Sequence, residues 1–403
     1  MHICFITNLP VWSLGKGKGA PSFYNTLQLF NDRGDIVTLL TTESGLDLSE
    51  LDNVKIVYLA HRKLLKSRLL SGLLRLLHKY FLYIRYQVDG VRALNKHASE
   101  ADIIYAYEIG FVPAVKIFCQ QNKKKWVSRF QGTILTDLVQ ASGLMWKIRL
   151  YCQFFDHIAA LKTLAPLTIM TDDGTKGDQV LKFLRRTSLH ARVDFFKNGV
   201  DSPDLNGGDL KPYEQAHNTN DIVFSSVSRV QRWKRLDRSV EIFEIFTRTH
   251  PQSHYYIVGE GSELGCIKEL VASKKLEDKI TFLGSLEKSQ VYKLLMDSKY
   301  FLSSYELSNL GNPLFEAIFC SAIVATLDNG STSEMIEDQV TGLLSAEGKY
   351  INNAVKLVAL ESDQALQHAI NTQAQRAFSR IMDSWDQRMD KEYLSLMMLR
   401  NEP

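Results

Sequence analysis

The chain has 403 residues, enough for two domains with a core each, and its 45% hydrophobic and 23% charged residues exclude a disordered protein. Its net charge of +3 is too small to indicate a nucleic-acid-binding protein. The five cysteines show no C-x-x-C pair and no metal-ligand spacing, so we expect reduced thiols and a cytoplasmic protein. No apolar run reaches membrane-spanning length and the N-terminus lacks a signal-peptide pattern, which leaves at most attachment to a membrane surface.

The N-terminal half predicts strands that alternate with helices. A first strand is expected over residues 2–7, then a glycine-rich loop, a helix and a second strand over residues 35–41. The pattern recurs in the stretches ADIIYAYE, KKWVSRFQG and PLTIMTDDGT. Alternation of this kind indicates a parallel sheet with helices on both faces.

A second α/β series follows a stretch of linker composition at residues 199–220. Its strands are expected in DIVFSSVSR, HYYIVGEG, KITFLGSL, KYFLSSYE and AIVATLDN. We therefore predict two Rossmann-like doubly wound domains, at residues 1–198 and 221–380, with a ligand cleft between them. The segment from about 380 to 403 predicts an amphipathic helix with Trp385, Met389 and Tyr393 on its apolar positions, which either closes the second domain or packs back on the first.

Two cations stand at the start of the second domain. Arg229 ends a predicted strand, and Lys234 follows shortly before a helix that begins near Leu236. Cations beside a helix N-terminus can bind a diphosphate, although a solvated basic loop explains this motif about equally well. Gly259 and Gly261 follow the next strand, a weak signal when taken alone.

In this order the motifs resemble the retaining glycosyltransferases of family 4, which have the GT-B fold of two facing Rossmann-like domains. The stretches KNGVD, at residues 197–201, and EMIEDQVTGLL, at residues 334–344, also match family segments. The resemblance implies a hexosyltransferase that uses a UDP- or GDP-sugar and needs no metal or other cofactor. Its acceptor would be a hydroxyl of a glycan or lipid-linked molecule in cell-surface polysaccharide or glycolipid assembly.

The resemblance also assigns roles to residues of the second domain. Arg229 and Lys234 would hold the donor diphosphate, and the backbone at Leu283 and Gly284 would reach the base. Glu316 matches the second glutamate of the family's Glu-x7-Glu pair and would accept hydrogen bonds from the ribose hydroxyls. Further donor contacts would come from Gly259 and from the turn Asn309, Leu310, Gly311 and Asn312.

The first glutamate of that pair is missing. Ser308 stands eight positions before Glu316, whereas Glu306 stands ten positions before it. Either the loop bulges so that Glu306 takes the role, or Ser308 takes it with a neutral hydroxyl. We favour Ser308, because the Gly-x-Pro spacing to Glu316 is intact. The departure also leaves open a GT-B protein that binds or scaffolds without catalysis.

The first domain departs from the family as well. Gly15, Gly17 and Gly19 stand where the family has its glycine-rich loop, so Gly17 and Gly19 are candidate donor contacts, although a flexible basic hairpin is a serious alternative. Tyr107 and Glu108 stand where the family has the last residues of His-x-His-Asp, and both are candidate catalytic residues together with Ser308, Arg229 and Lys234. Tyr107 could equally serve packing alone. Gln131 stands where a histidine is common and is a candidate donor contact.

Residues 61–87 hold seven Lys or Arg and no acid, with leucines and aromatic residues at helical intervals. Such a helix suits the surface of an anionic membrane. A core helix whose charges face solvent is the alternative.

Overall fold

The protein is described by a computed structural model that covers residues 1–9, 21–46, 48–60, 72–185, 192–200 and 221–402. The candidate donor contacts Gly17 and Gly19, with Gly15, lie outside the described residues. The same holds for residues 61–71 of the basic stretch and for residues 201–220 of the expected linker.

The chain forms two compact units. The N-terminal unit comprises Met1–Asp172, Lys176–Asn198 and Trp385–Pro403, and the C-terminal unit comprises Asp173–Thr175 and Gly199–Ser384. The final segment of the chain is therefore part of the N-terminal unit.

The strands, in chain order, are β1 His2–Thr7, β2 Ile36–Thr41, β3 Val54–Tyr58, β4 Ile103–Tyr107, β5 Lys125–Phe130, β6 Leu167–Thr171, β7 Arg192–Phe196, β8 Ile222–Val227, β9 Ser253–Val258, β10 Ile280–Gly284, β11 Tyr300–Leu302, β12 Ile323–Asp328 and β13 Leu343–Ala346. The helices are α1 Pro21–Asp32, α2 Gly72–His97, α3 Val112–Asn122, α4 Thr136–Gln140, α5 Leu144–Gln153, α6 Phe155–Lys162, α7 Gly177–Arg185, α8 Leu236–Thr249, α9 Leu264–Ser273, α10 Lys288–Asp297, α11 Asn312–Phe319, α12 Asn352–Glu361, α13 Gln364–Ile381 and α14 Trp385–Asn401.

Each unit has one sheet in which all neighbouring strands are parallel. The N-terminal sheet has the order β3-β2-β1-β4-β5-β6-β7, and the C-terminal sheet has the order β10-β9-β8-β11-β12-β13. The predicted pair of Rossmann-like α/β domains is thus confirmed. In such sheets ligands bind beyond the carboxyl ends of the strands where the order reverses, which here means β1 and β4 in one unit and β8 and β11 in the other.

Strand β4 shows how the N-terminal sheet separates two cores. Tyr105 and Tyr107 point into a cluster that contains residues of α1 and α14. Ile104 and Ala106 point to the opposite face, where α2 and α3 pack. This alternation is the two-residue period of a strand buried on both faces.

Helix α14 packs on the N-terminal sheet through polar as well as apolar residues. Trp385 and Met389 are buried as expected, but Arg388 and Glu392 are buried with them, while Tyr393 is only partly covered. Among the helices that the structure describes, none is long and apolar enough to cross a membrane.

Candidate functional site

The loops that follow β8 and β9 lie against each other at the carboxyl edge of the C-terminal sheet. The amide of Ser228 donates to the oxygen of Val258 (3.0 Å), and the amide of Val230 donates to the oxygen of Glu260 (2.9 Å). These bonds hold the loop that carries Arg229 next to the end of β9.

Gly259 and Gly261 make this close approach possible. A Cβ atom on Gly259 would lie 1.9 Å from the oxygen of Ser228, and one on Gly261 would lie 2.1 Å from the oxygen of Val230. Gly259 also has a φ of +127°, a conformation that side chains rarely adopt. The two glycines therefore shape the loop that carries Arg229. Their position after a strand was only a weak reason to single them out.

Lys234 ends a single 3-10 turn, Arg232–Lys234, directly before α8. Its ammonium nitrogen lies 3.9 Å from the ring centroid of Trp233 and 3.5 Å from that of Tyr305, which follows β11. The amide of Glu306 donates to the oxygen of Trp233 (2.9 Å), which holds the two loops together. Tyr305 and Trp233 were not among the predicted site residues.

The surroundings of Lys234 disfavour its charged form. Burial lowers the pKa of Lys234 from 10.5 to about 7, and the positive charge of Arg229 acts in the same direction, while Asp173 opposes both. Burial also lowers the pKa of Arg229. Two cations that repel each other in a partly buried loop form a site that an anion would stabilise.

The turn after β11 is fixed by the side chain of Asn309. Its Oδ1 accepts hydrogen bonds from Ser303 Oγ (2.7 Å) and from the amide of Tyr305 (2.9 Å), and its Nδ2 donates to Asn329 Oδ1 (2.8 Å). The amide of Gly311 donates to the oxygen of Asn309 (2.9 Å), and Leu310 packs in the core. The structure thus gives this turn an internal bonding role, with Asn312 as the first residue of α11.

The two candidates for the missing glutamate point to different partners. Ser308 Oγ donates to the main-chain oxygen of Asp173 (2.7 Å) and accepts from the amide of Leu310 (3.2 Å). The carboxylate of Glu306 forms an ion pair with Arg235 (2.9 Å) and lines a cavity between the loop before α8 and helix α9.

Glu316 lies one turn into α11, where its side chain is nearly fully buried and paired with the ammonium of Lys288, the first residue of α10. Leu283 and Gly284 end the neighbouring β10, and the oxygen of Gly284 accepts from the amide of Gly259 (2.7 Å). Leu283 packs against the apolar cluster that contains Leu314 and Phe315 of α11, so the expected ribose and base contacts lie on elements that pack together. Lys288 is a partner of Glu316 that the sequence analysis did not consider.

In the N-terminal unit, the carboxyl ends of β4 and β5 bring three predicted residues together. The hydroxyl of Tyr107 shares a hydrogen bond with Ser22 Oγ (2.7 Å) and accepts one from Gln131 Nε2 (3.2 Å). The amide of Gln131 donates to the carboxylate of Glu108 (2.6 Å). Burial raises the pKa of Tyr107 to about 12, so its hydroxyl stays protonated near neutral pH.

Glu108 has a φ of +67°, which is uncommon for a residue with a side chain. Such backbone strain is often found at functional sites. This backbone conformation turns the chain at the end of β4, so that the Glu108 carboxylate reaches the amide of Gln131, which follows β5.

A buried charge cluster beneath these residues was missed by the sequence analysis. The carboxylate of Glu392 on α14 lies 2.6 Å from Arg388 and 3.6 Å from Nε of Arg129 on β5, and it accepts a hydrogen bond from Tyr105. Burial raises the pKa of Glu392, but the charges of Arg388 and Arg129 outweigh it and the net shift is downward. The available signal was the Arg388–Glu392 pair at i,i+4 spacing, which more often marks an exposed helix face.

Within the described ranges, no three His, Cys, Asp or Glu side chains are grouped to hold a metal ion.

Part of this chain is similar to proteins that transfer sugars. Residues 209–377 match the family model described as "Glycosyl transferases group 1". A phosphatidylinositol N-acetylglucosaminyltransferase of Arabidopsis thaliana is 24% identical over 160 residues, which cover 40% of this chain and 35% of that protein. The poly(ribitol-phosphate) alpha-N-acetylglucosaminyltransferase of Staphylococcus aureus is 26% identical over 151 residues, which cover 37% of this chain and 30% of that protein.

The matched part thus spans about a third of these relatives' length. A solved structure of the Anabaena protein HepE in complex with UDP and glucose covers 99% of this chain and 100% of its own, with a TM-score of 0.69 at 18% identity. At this identity the likeness shows the fold. The chain therefore has the GT-B fold, and its residues 209–377 are similar to the group 1 glycosyl transferases.

Proposed function

We propose that this chain transfers a sugar, with retention of anomeric configuration, from a UDP- or GDP-sugar to a hydroxyl of a glycan or lipid-linked acceptor. The product would belong to cell-surface polysaccharide or glycolipid assembly. The relatives support this breadth, since one is named for phosphatidylinositol and the other for poly(ribitol-phosphate). A sugar nucleotide is supported by the UDP and glucose bound in the Anabaena structure.

One observation carries the proposal. Arg229 and Lys234 occupy the loop after β8, beside the switch point of the C-terminal sheet, and burial lowers the pKa of both. A diphosphate placed there would restore the full charge of Lys234 and be held by both cations. Because the cations would neutralise the leaving diphosphate themselves, we also propose that no metal or other cofactor takes part.

Roles for the other candidates follow. Glu316 would accept hydrogen bonds from the ribose hydroxyls, and the chain at Leu283 would contact the base. Tyr107, Glu108 and Gln131 would serve the reacting sugar or the acceptor from the N-terminal unit. In the reaction, the acceptor oxygen bonds to the anomeric carbon as the bond to the phosphate oxygen breaks, and the acceptor proton passes to that phosphate.

We assign the reaction to the cytoplasm. Five cysteines, Cys4, Cys119, Cys152, Cys266 and Cys320, are free thiols in the structure. This state fits a reducing compartment.

A second candidate function has one specific observation in its favour. Ser308 donates a hydrogen bond to the main-chain oxygen of Asp173, and the Glu306 carboxylate forms an ion pair with Arg235. A GT-B protein without the motif's first carboxylate could bind a nucleotide sugar as a non-catalytic partner.

The test is thermal unfolding with UDP, GDP, ADP and TDP, on the wild type and on Glu316→Ala. A ligand at about a hundred times its dissociation constant adds about 2.7 kcal/mol of stability. We expect UDP or GDP to raise the melting temperature of the wild type and to leave that of Glu316→Ala unchanged. No shift with any nucleotide would contradict the proposal. A shift without sugar transfer or donor hydrolysis would favour the non-catalytic candidate.

A further inference from the structure

Helix α2 exposes an apolar stripe on its outer side. The side chains of five residues are 38% to 59% exposed, namely Leu74, Leu77, Phe81, Ile84 and Val88. They recur at alternating steps of three and four residues, which places them on one stripe about 80° wide. An exposed apolar stripe of this length is unusual on a solvated helix.

The opposite side of α2 already packs on the unit. Tyr80 stacks on Phe155 of α6 with a centroid distance of 3.6 Å, and a Cβ atom on Gly90 would lie 2.7 Å from the ring of Phe111. The helix therefore carries apolar residues on two faces. A core helix that shows only its charges to solvent, the alternative in the sequence analysis, does not describe the outer face of α2.

A second exposed apolar segment lies next to α2. Four residues of α5 are 46% to 77% exposed, namely Leu144, Met145, Trp146 and Ile148. Lys79 on α2 donates to the oxygen of Gln153 at the end of α5 (2.9 Å) and pairs with Asp156 (2.9 Å). Lys79 lies on the packed side of α2, opposite the stripe, so these contacts join the end of α5 to α2. We call the exposed apolar residues of α2 and α5 together the α2–α5 face.

The charges within this face are positive, while Asp89, Asp137 and Asp156 border its two segments in sequence. Residues 61–88 and 138–155 contain no Asp or Glu. Arg75 and Arg85 lie on α2, and Lys147 and Arg149 lie on α5. The spacing of three and four residues in the stripe would also suit the packing of α2 on α2 of a second copy of the chain. Such packing would bring positive charges close together. The charge favours an anionic partner.

We propose that the exposed segments of α2 and α5 point to one side of the unit and that this α2–α5 face docks on an anionic lipid bilayer. The apolar side chains of both helices enter the interface between headgroups and acyl chains, and the flanking cations contact the headgroups. Trp146 is suited to the interface, because its ring combines an apolar body with a polar N–H group. This surface is separate from the residues assigned to the donor, so it adds a membrane partner to the proposed function without depending on it.

Flotation with lipid vesicles tests this surface. We expect the wild type to float with phosphatidylglycerol-rich vesicles, to float poorly with pure phosphatidylcholine vesicles, and to bind less at 0.5 M salt because screening weakens the headgroup contacts (a Debye length of about 4 Å). Of the described tryptophans, Trp126 and Trp385 are buried, Trp233 is partly buried beside Lys234, and Trp146 is 46% exposed. Binding should therefore shift the fluorescence to the blue, and Trp146→Phe should lose most of this shift.

Two double variants interrupt the face without touching the core. Phe81→Asp with Ile84→Asp, and Met145→Asp with Ile148→Asp, should each lower vesicle binding by about tenfold or more. Leu394→Asp and Val355→Asp are matched controls, since these side chains are 58% and 63% exposed elsewhere and should leave binding unchanged. All variants should keep the wild-type melting temperature and the nucleotide-induced shift.

Vesicle binding that both double variants retain would overturn the proposal. It would also be overturned by light scattering that shows a dimer of the wild type, without vesicles, that Phe81→Asp with Ile84→Asp dissociates. That result would identify a second copy as the occupant of the face. If vesicle binding holds while no nucleotide binds, the proposed function fails and the membrane surface stands.

Discussion

The ammonium nitrogen of Lys234 lies 3.5 Å from the ring centroid of Tyr305, so residues from the loops after β8 and β11 meet at the switch point of the C-terminal sheet. Trp233 faces the same nitrogen at 3.9 Å. Two aromatic rings stabilise the cation, but they also remove the water that would hydrate it. Burial is the main cause that lowers the pKa of Lys234 to about 7. The charged form of Lys234 therefore lowers the stability of the empty protein, and an anionic ligand would stabilise it.

Replacing Lys234 with methionine should therefore stabilise the empty protein. The unfolded chain holds this proton up to about pH 10.5 and the folded chain only to about pH 7, so wild-type stability should rise with pH across that window. Lys234→Met should raise the free energy of unfolding by about 1 kcal/mol at pH 7 and remove this slope. Urea unfolding at pH 7 and pH 9 measures both effects. A variant less stable than the wild type at pH 7 would contradict the argument.

The same residue predicts a pH dependence of nucleotide binding. A diphosphate favours the charged form of Lys234, so binding above pH 7 must be accompanied by proton uptake. The affinity for UDP or GDP should fall by up to about tenfold per pH unit between pH 7 and pH 9. Calorimetry in buffers of different ionisation enthalpy reports the proton uptake directly. In Lys234→Met the affinity should be low and nearly independent of pH over this range.

Gly259→Ala should disrupt the loop that carries Arg229. The new Cβ atom would meet the oxygen of Ser228 at 1.9 Å, in a backbone conformation that disfavours a side chain. We expect a loss of about 3 kcal/mol or more in stability, with loss of nucleotide binding. Gly265→Ala is the control. Its Cβ would meet nothing within 4 Å and it lies in α9, so this change should be neutral or slightly stabilising.

The ribose role of Glu316 can be tested with a deoxynucleotide. If Glu316 accepts two hydrogen bonds from ribose, Glu316→Ala should weaken UDP or GDP binding on the order of a hundredfold, at about 1.5 kcal/mol for each bond. The wild type should prefer the ribose form to the 2′-deoxy form, and the variant should bind both alike. Lys288→Ala removes the partner of Glu316 and should preserve this preference. An equal preference in wild type and Glu316→Ala would argue against the role.

The buried carboxylate of Glu392 should stabilise the packing of α14 on the N-terminal sheet. Its pKa lies below the ordinary value, so its stabilising effect is present above that value and is lost as the pH falls through the folded-state pKa. Glu392→Gln leaves Arg129 and Arg388 buried without a counter-charge and should cost about 3 to 5 kcal/mol at pH 7. Acid unfolding of both proteins measures the pH window.

A triple variant separates the charge effect from a packing effect. Arg129→Met, Arg388→Leu and Glu392→Leu together remove every charge of the cluster and should be more stable than Glu392→Gln alone. If the triple variant is the less stable of the two, the cluster contributes through its shape rather than through its charge balance.

The local patterns of this sequence determine much of the fold. Apolar runs such as Ile3–Ile6 and Tyr255–Val258 form strands, and segments of helical period lie between such runs. Parallel sheets follow from this alternation of strands and helices. The linear order of Arg229, Gly259 and Glu316 likewise predicts a donor site by resemblance. The strand and sheet inferences succeed because each depends on residues that are close along the chain, whereas the donor site stays a prediction.

What the tertiary structure alone decided concerns residues that are distant in sequence. The helical period could not show that Arg388 and Glu392 face inward, because their buried partners, such as Arg129 and Tyr105, lie on other elements. Nothing near Lys234 along the chain predicts the ring of Tyr305 or the resulting low pKa, since both arise where two strand ends meet. The sequence by itself determined which elements form, and by resemblance it predicts which residues would bind a sugar nucleotide. Tertiary packing decided their partners, because burial and charge pairing depend on neighbours in space.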